Sequence, residues 1–135
     1  YEVHVYSAHR TPVQTHEFTA NAQKNGFGVI IAAAGKAAHL AGAIAANTTL
    51  PVVGIPINCG KLDGVDALLS TVMMPSGIPV ATVAVGKAGA KNAGYLAAQI
   101  IAVADDDLSE KLRQERQQCA EDVIAKDKAL QEKLC

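Results

Sequence analysis

The chain has 135 residues, half of them hydrophobic but only 4% aromatic, with no Trp and a formal net charge of -1. That length supports one compact domain whose core is built from Ala, Val, Ile and Leu. The near-zero charge gives no electrostatic case for nucleic acid or an anionic membrane, and Gly, Pro and Asn interrupt the apolar runs before any reads as a membrane span.

The first predicted element is a strand over Glu2–Tyr6, an alternating run of strand-favouring residues. Ser7–Arg10 follows as a tight turn. Thr11 is the expected N-cap and Pro12 the first helical residue, since a Pro there lacks only an N–H that would be unpaired anyway. The helix over Pro12–Asn25 stops at Gly26, which can take the left-handed cap. Phe27–Ala34 is nearly all apolar, as expected of a strand covered on both faces. Gly35 breaks it, and a small-residue helix over Ala37–Asn47 follows. Pro51–Ile57 is a second buried strand, its prolines suited to strand-end positions. A loop over Asn58–Gly64 leads to a helix over Val65–Met73. The loop Met74–Pro79 precedes a short apolar strand, Val80–Val85. Gly86–Gly89 then turns into an Ala-rich helix running to about Ala104.

Asp105–Asp107 breaks that helix or caps the next, which is expected over Asp107–Cys135. Its apolar residues Leu108, Leu112, Cys119, Val123, Leu130 and Leu134 alternate in spacing between four and seven. This eleven-residue repeat keeps a narrow stripe on one side of a nearly straight helix. The stripe suits light docking on its own domain and packing against another subunit equally. Strands and helices alternate along the chain, so the expected fold is α/β with a parallel sheet and right-handed crossovers. Residues 1–135 read as a single domain, without internal repeats or a linker.

Two turns carry the polar chemistry. The first holds Ser7, His9 and Arg10: a hydroxyl and a guanidinium beside free helix N–H groups suit a phosphate, and an imidazole can move a proton. Taken alone, such a tetrapeptide is better explained as ordinary surface. The second is Ala34-Gly35-Lys36-Ala37-Ala38-His39-Leu40, where small residues let backbone N–H groups approach a ligand. His39, placed in the first helical turn, is disfavoured as a cation by the helix dipole. If both turns lie at carboxyl ends of parallel strands, they face one cleft. Met74-Pro75-Ser76-Gly77 is stiff enough to wall a pocket, and Lys87 and Lys91 serve anions or solvent. His4 and His16 read as structural or surface residues.

Several chemistries are excluded by pattern. No Gly-Lys pair precedes Ser or Thr, and there is no G-x-G-x-x-G. No Ser lies in G-x-S-x-G. The four histidines do not pair with acids or cysteines at metal-ligand spacing, and Asp63, Asp66 and Asp105–Asp107 have no calcium-loop pattern. Cys59, Cys119 and Cys135 are an odd, scattered set without C-x-x-C, which argues against a disulfide framework or zinc site and for a reducing cytosol. The opening residues show no signal-peptide pattern. A cytoplasmic protein without metal or cofactor is expected.

Four motifs carry a resemblance: Ser-Ala-His-Arg-Thr-Pro at 7–12, Ala-Gly-x-Ala-Ala-His-Leu at 34–40, Met-Pro-x-Gly-Ile-Pro-Val at 74–80 and Gly-Lys-Ala-Gly-Ala-x-Asn-Ala at 86–93. On these, over nearly the whole chain, the sequence resembles the phosphoribosylaminoimidazole carboxylase catalytic subunit family of purine biosynthesis. Within it, the N5-carboxyaminoimidazole ribonucleotide mutase type fits best. Carboxylases using free carbon dioxide tend to carry Gly-Arg-Ser-Asn where this chain has Gly35-Lys36-Ala37-Ala38-His39. The resemblance implies a flavodoxin-like three-layer αβα sandwich assembled as a homo-octamer with sites between subunits. It implies a ribonucleotide substrate whose carboxyl group moves from the exocyclic nitrogen to a ring carbon without metal or cofactor. His9 would be the general acid and base, and Arg10 and Ser7 would hold the phosphate. Ala34, Gly35, Lys36, His39 and Leu40 would bind the carboxylate and ring, with Met74 and Pro75 as pocket wall. A carboxylase using free carbon dioxide and a non-catalytic phosphate-binding oligomer are the alternatives.

Two departures from the family are visible. Many mutases have a second glycine where Lys36 stands. The family also begins with an earlier strand and a Ser/Asp-rich phosphate and ribose loop, which nothing in this sequence matches, so the sequence is expected to be an incomplete copy. In the flavodoxin-like order that strand lies between the first and second strands predicted above, leaving the Glu2–Tyr6 strand without a partner.

Overall fold

The computed structural model describes residues 1–134; Cys135, the expected end of the last helix, lies outside the described residues. The elements in chain order are α1 (Pro12–Ala22), β1 (Ile30–Gly35), α2 (Leu40–Ala45), β2 (Val52–Ile57), α3 (Val65–Val72), β3 (Ala81–Thr82), α4 (Gly86–Ala102) and α5 (Asp106–Leu134). The strands form one parallel sheet in the order β1-β2-β3. β1 and β2 pair from Ile30 opposite Val52 to Gly35 opposite Ile57, so their carboxyl ends are level. This is the open parallel α/β fold of flavodoxin type, with a long C-terminal helix.

Side-chain alternation on β2 separates the layers. Val52 joins Ile30 and Ala32 of β1 in a core with Ala22 of α1 and Ala41, Ile44 and Ala45 of α2. Gly54, on the same face, lies against Ala41 of α2 and Thr71 of α3. Val53 and Ile55 point the other way and pack with Ala93 and Leu96 of α4. The small residues foreseen in the sequence are what let these helices approach so closely: Ala22, Ala67 and Ala93 have no exposed surface.

The Glu2–Tyr6 segment is not a strand. It forms no ladder, and Tyr1, Val3 and Val5 are exposed. A strand exists only through a partner, and none among the described residues reaches this segment. β1 pairs with β2 alone, which leaves its other edge open. Nor is β1 covered on both faces, contrary to what its apolar run predicted: Ile30 and Ala32 are buried, but Ile31 on the opposite face is 44% exposed because no helix among the described residues packs over it. A cavity of about 600 Å³ separates that edge from residues 1–6. The segment is held by rings instead: His4 stacks on Tyr6 with centroids 4.9 Å apart, and both rings lean on Phe18 of α1.

β3 is also shorter than the Val80–Val85 run predicted, because Pro79 has no N–H to donate at its start and the chain turns into α4 at Gly86. Gly26 takes the expected left-handed conformation, with φ +85°.

The chain divides into two compact units, residues 1–97 and the part beginning at Ala98. In the second, Asp105 caps α5 by accepting the Leu108 N–H at 2.9 Å. α5 buries none of its residues. Its exposed surface is tied by local pairs such as Gln117–Glu121 and Gln118–Asp122. Arg113, hydrogen-bonded to Glu110, and Gln114 beside it hold the Glu110 carboxyl below its usual range. No helix is long and apolar enough to cross a membrane among the described residues.

Candidate active site

The first turn is closed by its own polar groups. Thr11 Oγ1 accepts the Ser7 N–H at 2.7 Å and donates to the Ser7 carbonyl at 3.1 Å, while the Thr11 N–H donates to that same carbonyl at 2.9 Å. Thr11 sits at the N-cap position of α1 but makes no side-chain cap, contrary to the sequence expectation, because its hydroxyl faces back to Ser7. Ser7 Oγ accepts the Arg10 N–H at 3.2 Å. A hydroxyl with one accepted bond keeps its own proton to donate, so Ser7 can still address a ligand.

The second turn leaves β1 at Gly35. Lys36 takes the left-handed region at φ +57°, the conformation a glycine adopts without steric cost. The Ala38 N–H donates across the molecule to Ser70 Oγ at 2.9 Å. The His39 N–H donates to the Ala37 carbonyl at 2.9 Å. α2 therefore starts at Leu40, three residues later than predicted, with His39 as its cap residue rather than inside its first turn.

These two turns meet. His9 Nε2 lies 3.0 Å from His39 Nδ1, with the rings edge to face and their centroids 5.1 Å apart. One ring donates and the other accepts, so the pair shares a single proton across that contact. Around it is a cavity of about 540 Å³. Ser7, His9, Arg10, Ala34, Gly35, Lys36, His39 and Leu40 all line it. Arg10 and Lys36 bring two basic side chains, and among the described residues no Asp or Glu lines the cavity with them. Such a lining attracts anionic groups.

Met74 and Pro75 are not among the residues lining this cavity; the Met74 thioether lies against Gly42 of α2 instead. Lys87 and Lys91 are exposed on α4 and also lie outside it. His16 bonds Asn47 Oδ1 at 2.8 Å, bracing α1 against the end of α2, and His4 lies 3.2 Å from the Glu2 carboxylate.

Cys59 is a lining residue that sequence reasoning did not single out. It follows β2 by two residues, with its N–H donating to the Ile57 carbonyl at 3.1 Å. The β1–β2 register places it beside Gly35. The signal available in the sequence was its position just past the carboxyl end of a buried strand.

Lys36 gives a direct test of the turn. A side chain at φ +57° costs about 1–2 kcal/mol, while glycine brings back about 0.5–1 kcal/mol of unfolded-chain entropy. Lys36→Gly is therefore expected to unfold in urea at the parent's midpoint or slightly above it. A clear loss of stability would show that contacts of the lysine side chain, not the turn, hold the backbone there.

Comparison with known proteins shows the family. The family model described as AIR carboxylase matches residues 1–122. The N5-carboxyaminoimidazole ribonucleotide mutase of Haemophilus influenzae is 60% identical over 113 residues, covering 84% of this chain and 69% of that protein. The mutase of the same name from Bacillus subtilis is 53% identical over 124 residues, covering 92% of this chain and 76% of its own. That of Escherichia coli is 52% identical over 124 residues, covering 92% and 73%. With the match running through both turns and the cavity they enclose, the chain belongs to the AIR carboxylase family.

Proposed function

We propose that this chain is an N5-carboxyaminoimidazole ribonucleotide mutase, an enzyme of purine biosynthesis that moves a carboxyl group from the exocyclic nitrogen of its substrate to a ring carbon. The observation that carries the reading is the His9–His39 contact of 3.0 Å beside two cations in a cavity with no carboxylate in its lining. Arg10 and Ser7 take the phosphate, and the Gly35–Leu40 turn takes the carboxylate and ring. His9 gives a proton to the carbamate nitrogen as the nitrogen–carbon bond breaks and carbon dioxide leaves. The pocket keeps that carbon dioxide beside the ring, so recapture is effectively intramolecular. The ring carbon attacks it, forming the new carbon–carbon bond, and His9 recovers a proton from that ring carbon. No net proton is consumed, so one imidazole serves both steps.

The exposed apolar residues of α5 fit burial against other subunits, with Val123 at 64%, Ile124 at 67% and Leu134 at 72% exposure. This supports a homo-oligomer; we take it to be an octamer, and we place it in the cytoplasm on the reading of the enzyme alone. One experiment tests both parts: the chain is passed over a sizing column with light scattering, and each fraction is assayed for interconversion of the two carboxylated ribonucleotides. Conversion in the fraction with the mass of eight chains is expected. Activity in a monomer fraction removes the octamer. Bicarbonate-dependent turnover of the uncarboxylated ribonucleotide alone replaces the mutase with a carboxylase, and ribonucleotide binding without either conversion leaves a phosphate-binding oligomer.

A further inference from the structure

We propose that Ser70 of α3 is a positioning residue for the imidazole pair, acting through the Lys36–His39 turn. The inference rests on the functional reading above for its catalytic consequence but not for its geometry. Hydroxyls inside helices ordinarily bond back to the carbonyl one turn earlier. Thr15, Thr19 and Thr71 do so here, to Thr11, Thr15 and Ala67, at 2.6–2.8 Å. Ser70 makes the same local contact with the Asp66 carbonyl at 2.5 Å. It also accepts the Ala38 N–H at 2.9 Å, from 32 residues away, and lies 3.2 Å from the Lys36 carbonyl.

That bond meets a specific need. Ala38 is 1% exposed, so its N–H has no ready access to solvent and must find an acceptor inside the protein. After the left-handed Lys36, this N–H is directed to Ser70 of α3. His39 is the next residue, and its Nδ1 is the atom that meets His9. Ser70 thus fixes the backbone from which one member of the pair projects, without itself lining the cavity.

Thr and Val have nearly the same shape and differ by the hydroxyl, so Ser70→Thr and Ser70→Val isolate the bond from the effect of volume. Ser70→Ala is the second hydroxyl-free variant should Val disturb α3. Two readouts are taken on the whole chain: the imidazole ¹H–¹⁵N signals of His9 and His39, and KM and kcat for the carboxyl transfer. Ser70→Thr is expected to keep the parent's imidazole signals and rates. Ser70→Val and Ser70→Ala are expected to shift the His39 and His9 signals and to lower kcat about ten- to a hundredfold, as displaced catalytic groups do, with a smaller change in KM. Parent-like imidazole signals in both hydroxyl-free variants would overturn the proposal. So would equal displacement in Ser70→Thr. If the chain lacks mutase activity altogether, the functional reading fails while the imidazole signals still decide the role of Ser70.

Discussion

His9→Asn is expected to abolish turnover while leaving ribonucleotide binding nearly intact. A positioned general acid and base contributes about 10²–10⁴-fold to rate, and here one imidazole would serve the departure of carbon dioxide and the loss of the ring proton. The loss should therefore lie at or beyond the upper end of that range. Asn is polar and of similar bulk near the backbone, but its amide does not exchange protons near neutral pH and stops short of the Nε2 position that meets His39. Binding is expected to persist because the groups assigned to the phosphate, Arg10 and Ser7, are untouched. The Ser7 hydroxyl is oriented by the Arg10 N–H, not by the imidazole. Calorimetric titration with the ribonucleotide beside a turnover assay checks the division, and full activity in this variant would end the mechanism. His9 is exposed and its ring meets the protein chiefly at His39. Its removal should therefore leave the urea midpoint unchanged.

Much of this arrangement could be read from residue types. β2 is a buried apolar run covered on both faces, as such runs require, whereas β1 reads the same way in sequence but buries only its Ile30 and Ala32 face and leaves Ile31 and Ala33 exposed. The two turns were legible because each puts a hydroxyl, cation or imidazole beside a residue that breaks a strand or starts a helix. Other features depend on tertiary partners that no local pattern reveals. Glu2–Tyr6 has strand-like alternation, but no described strand lies alongside it to form a ladder. Residues Ala37–His39 have helical composition, yet the Ala38 N–H goes to Ser70 and delays the start of α2. Cys59 enters the cavity through the register of two strands, and Met74 packs on Gly42 because of where α3 ends relative to α2. In each case the missing information was a contact between residues far apart in sequence.

Gly35→Ala is expected to damage the fold and the site together. A Cβ at position 35 would stand 2.1 Å from Cys59 Sγ and 2.9 Å from the Ile57 carbonyl oxygen. The thiol can rotate away. The carbonyl belongs to the β2 backbone and accepts the Cys59 N–H, so it yields only if the ends of the two strands part. Forced overpacking of this kind costs about 1–3 kcal/mol, and more where backbone must move, against a total stability of about 5–15 kcal/mol for a domain of ordinary stability. The displacement falls on the residue before Lys36, so the turn carrying His39 moves with it, and turnover should drop about a hundredfold or more. Adding Cys59→Gly separates the two obstacles. It removes the sulfur and leaves the carbonyl, so the double variant is expected to recover part of the urea stability and little of the turnover. Recovery of both would mean that the thiol alone enforces glycine at position 35. Parent-like stability and turnover in Gly35→Ala itself would mean that the strand ends are not held at the spacing that brings the two turns together. His9→Asn and Gly35→Ala thus fail in different ways: the first loses chemistry on an intact frame, and the second loses the frame on which the chemistry is placed.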